Sequence, residues 1–221
     1  MNPSVCVATA ALSPAVKHAL AAQDRPADLI VDGNGSLRDA AARALATDAS
    51  WLWVLDGSAA PRPGALLALL TALERVDGPP GPVLLAGVVM TADEEVDSRL
   101  APWSRALPAE KVMAAAGRRL FPIRAAVGSV LVDRGGIERG SAPRPELQPS
   151  SALLEWTARL LRRREGYWVA ESESETLAGA ANPAGDPRLV ATLLTGGAFG
   201  PREGLRLIAQ LAADRRRSSA R

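Results

Sequence analysis

The sequence predicts an α/β fold with a mostly parallel central sheet. In the first 76 residues, three short apolar runs typical of buried strands alternate with three helical segments. Strands that alternate with helices indicate parallel pairing through right-handed crossovers. Hydrophobic residues make up 48% of the 221 residues, which is ample core material for one large domain or two small ones. We therefore expect a Rossmann-type three-layer sandwich.

A loop and a helix follow each of the first three strands. Ser13 before Pro14 predicts an N-cap and a first helix to about residue 22. Ser36 followed by Asp39 resembles a capping box and predicts a second helix to about residue 46. A turn of small residues follows the third strand, and Pro63 opens a third helix to residue 76. The three strands are expected at residues 5–10, 29–31 and 51–55.

The second half of the sequence is less regular. Residues 91–124 have no clear hydrophobic period and are interpreted as an irregular insertion beside the sheet edge. Two apolar lines predict a helix over residues 151–164. Further strands are expected at residues 83–90, 125–132 and 167–170, and one or two helices within residues 186–213. We divide the chain into a main domain (1–180), a C-terminal helical extension (181–213) and a basic tail (214–221) that we expect to be disordered.

Composition argues against several classes of function. The formal charge is only +2 and Lys occurs only at positions 17 and 111, so the dispersed basic field that nucleic-acid binding needs is missing. Cys6 is the only cysteine, which rules out an internal disulfide and a cysteine-based metal site. We find no signal-peptide pattern and no apolar run near the ~18–20 residues of a membrane span. We expect a cytoplasmic protein with at most peripheral membrane contact and no nucleic-acid partner.

Three separated segments occur in an order typical of one enzyme family. They are Ile30-Val-Asp-Gly-Asn-Gly-Ser36, Trp51-Leu-Trp-Val-Leu-Asp-Gly-Ser58 with Pro61, and Gly128-Ser-Val-Leu-Val-Asp-Arg134 followed by Leu154-Glu-Trp156, Arg159 and Gly166-Tyr167. In order and spacing these segments resemble family 2 glycosyltransferases with the GT-A fold, closest to the rhamnosyl- and galactofuranosyl-transferase branch. The resemblance covers about residues 4–172 and implies a GT-A-like domain.

The resemblance also implies a reaction and a set of site residues. The reaction is transfer of a sugar from a nucleotide-diphosphate donor to the hydroxyl of a glycan or lipid-linked acceptor. The implied nucleotide-sugar-binding residues are Asp32, Asp56, Ser58 and Thr9, with Asp56 as the first acidic residue of the D-x-D motif beside the ribose and the metal. Glu155, on a helix that would face the acceptor, is the candidate catalytic base.

Several catalytic positions depart from the family pattern. Ser58 replaces the second Asp of D-x-D, and a hydroxyl is a poor anchor for the implied Mg²⁺ or Mn²⁺, which weakens the case for a metal at Asp56. Ala152 and Leu153 replace the acidic pair that precedes Glu155. The only histidine, His18, lies too early in the chain to match the family's metal-binding His. A metal-free diphosphate site would need arginine, and the candidates are Arg118, Arg119 and Arg124.

These departures leave other functions open. The chain could be a catalytically inactive GT-A-like domain that binds a nucleotide or a partner protein. A nucleotidyltransferase would need a Gly-rich basic loop after the first strand, and residues 9–13 offer none. Each candidate also has a structural interpretation: Asp32 and Asp56 end strands, and Glu155 forms a helical i,i+4 pair with Arg159. The acidic run at 93–95 is a solvated loop, or supplies a carboxylate if the insertion covers the cleft.

Overall fold

The computed structural model describes residues 3–76, 81–104, 113, 116–138, 142–162, 164–195 and 209. Within these residues the strands are β1 (Val5–Thr9), β2 (Leu29–Asp32), β3 (Trp51–Leu55), β4 (Ala59–Pro61), β5 (Leu84–Met90), β6 (Trp103–Ser104), β7 (Leu120–Ala125), β8 (Ser129–Asp133) and β9 (Gly166–Thr176). The helices are α1 (Pro14–Ala21), α2 (Leu37–Leu45), α3 (Ala65–Glu74), α4 (Arg134–Glu138), α5 (Pro149–Leu160) and α6 (Pro187–Thr195), with a 3₁₀ turn at Pro183–Gly185.

One mixed sheet organises the molecule. Its strands lie in the order β2-β1-β3-β8-β5-β9-β7-β6, and β4 pairs with β9 outside this path. β1 pairs in parallel with β2 and β3, and β5 pairs in parallel with β9. Because β8 runs antiparallel between β3 and β5, the strands β1, β2, β3, β5 and β9 share one direction. The mostly parallel core of the sheet that the sequence predicts is confirmed.

Helices cover both faces of this sheet. Successive side chains of a strand point to opposite faces. In β1, Cys6 and Ala8 join the buried cluster that includes residues of α2, α5 and α6, whereas Val5 and Val7 join the cluster that includes residues of α1 and α3. The predicted three-layer sandwich of Rossmann type is therefore confirmed.

The helix starts of the first half follow the capping pattern in the sequence. Ser13 accepts a hydrogen bond from the Val16 N–H, and Ser36 accepts one from the Asp39 N–H. Each hydroxyl satisfies a backbone donor that has no partner inside the helix. α1 and α2 therefore begin where the sequence predicts, directly after the loops that leave β1 and β2.

The structure adds strands where the sequence predicts none. The small-residue turn after β3 contains β4, and the helix that follows begins at Ala65 instead of Pro63. Residues 91–124, expected to be irregular, contribute β6 and β7. β7 contains Pro122 and Arg124, which interrupt its apolar pattern, so its sequence lacks the alternation of a half-buried strand.

Two predicted elements have different bounds in the structure. The strand expected at residues 125–132 begins later, because β7 ends at Ala125 and a turn at Gly128, where φ is 77°, comes before β8 at Ser129–Asp133. The helix expected at residues 151–164 is α5, which begins at Pro149 and ends at Leu160. Pro149 fits the first helical position because its missing N–H would have no partner there.

β9 is far longer than the strand that the sequence predicts at residues 167–170. It continues to Thr176 through alternating Glu and Ser residues, which have little strand preference. This second half pairs with β5 on one side and β4 on the other. Ser172 and Ser174 are buried there, so tertiary pairing determines the strand.

The C-terminal part of the described chain packs on the main core. Leu189 and Leu193 of α6 belong to the same buried cluster as residues of α5. The predicted domain division at residue 180 stays a prediction, and the predicted tail (214–221) lies outside the described residues. In the part of the chain that the structure describes, no helix combines the length and the apolar character needed to cross a membrane.

Candidate functional site

The ends of three parallel strands meet at one edge of the sheet. In the parallel register, Thr9 of β1 is paired with Asp32 of β2 on one side and with Leu55 of β3 on the other. Asp56 follows Leu55 directly. The edge therefore brings together Thr9, Asp32 and Asp56, three of the residues predicted to bind the nucleotide sugar. In open α/β sheets, ligands bind outside the carboxyl ends of such strands.

Asp32 begins a tight turn that is fastened to the end of β1. Its Oδ1 accepts a hydrogen bond from the Asn34 N–H at 2.9 Å, and the Gly33 and Gly35 N–H groups donate to the carbonyl oxygens of Thr9 and Ala10. A side chain at Gly33 would overlap the Ser36 carbonyl oxygen and Ala40, so glycine is required. No described residue donates a hydrogen bond to Oδ2 of Asp32, and the side chain is half-buried. One carboxylate oxygen is thus available to a ligand.

Asp56 is 4% exposed and its carboxylate is surrounded by donors from its own chain. Oδ1 accepts hydrogen bonds from the Ser58 N–H at 2.8 Å and the Ser58 hydroxyl at 2.5 Å, and Oδ2 accepts one from the Gly128 N–H at 3.0 Å. The Ser150 side chain also hydrogen-bonds to this carboxyl group. Asp56 therefore joins three segments: the turn after β3, the turn before β8 and the start of α5.

Burial has the largest effect on the pKa of Asp56. It raises the pKa of the carboxyl group above its ordinary value, and the hydrogen bonds from Ser58, Gly128 and Ser150 oppose this shift by favouring the charged form. Among the described residues there is no group of three or more His, Cys, Asp or Glu side chains that could hold a metal ion. With both of its oxygens already hydrogen-bonded, Asp56 does not fit the role of a divalent-cation ligand.

Thr9 and Ser58 also use their hydroxyl groups within the chain. The Thr9 hydroxyl is buried and donates to the Ala11 carbonyl oxygen at 3.0 Å. The Ser58 hydroxyl is buried against Asp56. The structure thus brings all four predicted nucleotide-binding residues to one edge. Of these, Asp32 is the least buried and has an oxygen that no described donor occupies.

The turn at Gly128 offers a test of the network around Asp56. A Cβ at this position would lie 2.6 Å from Val89 Cγ2, and φ is +77°, whereas Gly35 has a φ of +91° with nothing within 4 Å. We expect Gly128→Ala to lower the free energy of unfolding by about 1–3 kcal/mol more than Gly35→Ala, because only Gly128 adds overpacking to backbone strain. Urea denaturation of the two variants measures the difference, and equal losses would contradict it.

Glu155 lies in the middle of α5 and is 0% exposed. Its Oε1 is 2.7 Å from Arg159 Nε and 3.3 Å from Arg144 Nε. The predicted i,i+4 pair with Arg159 is therefore present, but it is buried at the carboxylate instead of lying on the surface. Oε2 is buried without a hydrogen-bond partner among the described residues. Glu155 is about 7–8 Å along the helix axis from Ser150, the residue that contacts Asp56.

The three arginines proposed for a diphosphate site lie elsewhere. Arg119 is 3.5 Å from Glu171, which also pairs with Arg75 at the C-terminal end of α3, and the Arg118 carbonyl oxygen accepts a hydrogen bond from Arg75. Asp56 precedes the N-terminal end of this helix, which is about 15 Å long. The remaining candidate, Arg124, donates to the Leu161 carbonyl oxygen at the C-terminal end of α5. None of these contacts involves the turn at Asp56.

A different set of arginines lines a cavity of about 440 Å³ between the start of α2 and the segment before α5. The basic residues that line the cavity are Arg38, Arg144 and Arg159. The acidic Glu146 also lines it. This set was not predicted from the sequence, because Arg38 is far from Glu155 along the chain and Arg144 lies 11 residues before it, outside α5. The i,i+4 spacing of Glu155 and Arg159 predicted only one contact of this set, the ion pair between those two residues.

The acidic run at residues 93–95 fits the solvated-loop interpretation. All three side chains are exposed. Glu94 pairs with Arg62 at 2.7 Å, and Arg62 also pairs with Glu173 of β9. The loop is thus fastened to β9 through Arg62.

The fold and the polar strand edge define the class of protein as a Rossmann-like α/β domain. No protein-family model and no curated protein matches the sequence. Among solved structures, TarS of S. aureus, a glycosyltransferase, is similar with a TM-score of 0.53 and 10% sequence identity, over 96% of this chain and 43% of that chain. A197 from STIV has a TM-score of 0.49 and 10% identity, over 80% of this chain and 87% of that chain.

These comparisons concern the fold alone. The chain spans less than half the length of the TarS chain. At 10% identity, the likeness to TarS shows a glycosyltransferase-like fold and nothing about substrate or activity. The likeness to A197 is too weak to carry an argument.

Proposed function

We propose that the chain is a glycosyltransferase that binds a nucleotide-diphosphate sugar at the strand edge formed by Thr9, Asp32 and Asp56 and transfers the sugar to an acceptor hydroxyl. The observation that carries the proposal is the parallel register, which places the ends of β1, β2 and β3 side by side. The glycosyltransferase-like fold supports it.

In this proposal Asp32 contacts the nucleoside. Its Oδ1 holds the turn and its Oδ2 is available to accept a hydrogen bond from a ribose hydroxyl or a base N–H. Asp56 has a different role, because its carboxylate already accepts hydrogen bonds from Ser58 and Gly128. It fixes the shape of the edge. The described residues around Asp56 do not fit Mg²⁺ or Mn²⁺, so we propose a site that binds its donor without a metal.

Glu155 remains the candidate base for the acceptor proton. It is the only acidic residue of α5, and this helix begins at the strand edge through Ser150. To accept a proton, the unpartnered Oε2 of its fully buried carboxylate must become accessible to the acceptor hydroxyl. The acceptor is proposed to be a glycan or a lipid-linked glycan.

A second candidate function is binding without transfer. The observation that favours it is that neither Asp56 nor Glu155 has an exposed carboxylate: Asp56 is held by Ser58 and Gly128, and Glu155 by two arginines. In that case the strand edge would bind a nucleotide, or the domain would bind a partner protein, and no sugar would be transferred.

Calorimetric titration with UDP, dTDP and GDP, each with and without Mn²⁺, tests the binding site. We expect at least one nucleotide to bind, with no gain in affinity from Mn²⁺. Asp32→Asn keeps the oxygen that holds the turn and replaces the available oxygen by an amide donor, so affinity should fall about tenfold. Asp39→Asn, at an exposed position of α2, is the matched control and should bind like the wild type. Absence of binding to all three nucleotides would refute the proposal.

Release of the nucleotide from a nucleotide sugar separates the two candidate functions. The nucleotide that binds is offered as its sugar conjugate, such as dTDP-rhamnose or UDP-galactofuranose, and free nucleotide is measured over time. Release faster than in a protein-free blank supports the transferase. Binding with no release would favour the alternative of a binding domain.

A further inference from the structure

The cavity beside α5 lies next to, but separate from, the strand-end residues of the proposed donor site. It has a volume of about 440 Å³ and is lined by residues 142–146 together with Arg38 of α2 and Arg159 of α5. This volume falls within the range of about 300–1,000 Å³ that is typical of small-molecule sites. None of Thr9, Asp32 and Asp56 is among its lining residues.

The charges around this cavity are unbalanced. Three guanidinium groups, those of Arg38, Arg144 and Arg159, line it, and two carboxylates, those of Glu146 and Glu155, contact them. One positive charge is therefore not neutralised within the cluster. Arg38 forms no ion pair with any described residue. Its charge does help to lower the pKa of Glu146, but the backbone N–H of Glu146 and the guanidinium group of Arg144 lower it more.

Glu155 holds two of the arginines from inside the protein. Its buried Oε1 is 2.7 Å from Arg159 Nε, and Arg159 Nη2 donates to the Ala142 carbonyl oxygen at 2.9 Å. Arg159 is thereby held by one ion pair, with Glu155, and one hydrogen bond, to Ala142, although its Nε does not meet hydrogen-bond geometry. A ligand that binds to this group meets a donor that is already in position, which lowers the entropy cost of binding.

The contacts of Arg144 with carboxylates are long and weak. Its contacts with Glu155 and Glu146 measure 3.3 and 3.4 Å, whereas strong bonds between guanidinium and carboxylate groups measure about 2.7–2.9 Å. An anion in the cavity could therefore replace the long contact with the exposed Glu146 at little cost. The planar guanidinium group forms paired hydrogen bonds with phosphate oxygens, and arginine is favoured for phosphate recognition for that reason.

We propose that this cavity binds the phosphate group of a small organic molecule through Arg38, Arg144 and Arg159. The volume exceeds what a phosphate ion needs, so the remaining space accommodates the organic part. The inference does not depend on nucleotide binding, because the cavity shares no lining residue with the nucleotide site. Two of its arginines, Arg144 and Arg159, do contact Glu155, the proposed base.

Calorimetric titration with glucose 1-phosphate tests the inference, with inorganic phosphate, glucuronate and glucose as comparison ligands. We expect glucose 1-phosphate to bind more tightly than inorganic phosphate, and glucose not to bind. Arg38→Gln should weaken glucose 1-phosphate binding about tenfold, through loss of a charged hydrogen-bond donor. Arg38 is exposed and forms no ion pair with a described residue, so this variant should fold. Arg162→Gln, at an exposed position after α5, is the matched control and should bind like the wild type.

Four results would overturn the inference. The first is no binding of either phosphate compound, and the second is equal affinity in Arg38→Gln and the wild type. The third is equal binding of glucuronate, which would indicate a carboxylate site. Equal affinity for inorganic phosphate and glucose 1-phosphate would identify free phosphate as the ligand and exclude the organic molecule. Asp32→Asn should leave glucose 1-phosphate binding unchanged, so failure of the nucleotide site and failure of this site are distinguishable.

Discussion

Asp56→Ala is expected to lower the free energy of unfolding by about 4 kcal/mol, measured by urea denaturation. The substitution leaves the buried Ser58 N–H, the Ser58 hydroxyl and the Gly128 N–H without their acceptor. Each buried donor that loses its partner costs about 1–3 kcal/mol. The sum is a large part of the total stability of about 5–15 kcal/mol that a domain has.

Asp56→Asn removes the charge of Asp56 and keeps an oxygen that can accept from Ser58, while its amide group replaces the oxygen that accepts from the Gly128 N–H. Burial raises the pKa of Asp56, so the folded state holds this proton more tightly than the unfolded chain does. The stability that this group contributes is present below its ordinary value of 3.8 and is lost as the pH rises through the folded pKa. Asn cannot ionise, so the variant should gain stability relative to the wild type as the pH rises from acidic to neutral.

Asp48→Asn, at an exposed position, is the control for this pH dependence and should follow the wild type. A loss below 1 kcal/mol in Asp56→Ala would show that the network around Asp56 does not hold the edge together. The same would follow from an Asp56→Asn stability curve parallel to that of the wild type.

If the expected loss is found, failure of Asp56→Ala to bind a nucleotide reports on folding and not on direct contact. Asp32→Asn is the better probe of the site.

Arg159→Met is expected to lower the free energy of unfolding by about 3 kcal/mol. The substitution keeps the aliphatic length of the side chain but leaves the fully buried Glu155 carboxylate with Arg144 as its one remaining cationic contact among the described residues, at 3.3 Å. Removing one partner of a buried ion pair typically costs about 3–5 kcal/mol, because the other charge stays buried. Urea denaturation measures the loss, and Arg162→Met is the exposed control.

The double variant Glu155→Gln with Arg159→Met tests the cause of this loss. Removing the carboxylate charge together with its partner should restore more than half of the stability lost in Arg159→Met. Additive losses in the double variant would mean that the pair is not coupled. The effect of Arg159→Met would then come from packing alone.

The first half of the fold was predictable because its apolar runs and its helix-capping residues indicate the same strands and helices. β3 has the predicted bounds, Trp51–Leu55, since a run of five apolar residues is buried by neighbours on both sides. Ser13 and Ser36 mark the helix starts by satisfying backbone donors within three residues. β9 was not predictable from its Glu and Ser residues, because pairing with β4 and β5 determines it.

The candidate site was predictable in position but not in chemistry. Strand ends at Asp32 and Asp56 indicated which edge of the sheet the residues share. Besides the nearby Ser58, Asp56 is bound by Gly128 and Ser150, and Arg144 joins Glu155 from another segment. Folding brings these residues together from distant parts of the chain, and no local pattern in the sequence signals such contacts.

Mapping a nucleotide onto the protein by two-dimensional amide NMR tests the central claim most directly. UDP, dTDP and GDP are titrated in turn, and the amide signals that move are assigned. The account predicts that the largest shifts for the nucleotide that binds fall on Gly33, Asn34 and the other residues that follow β1, β2 and β3. Shifts confined to another surface, or no shifts with any of the three nucleotides, would contradict a nucleotide site at this edge.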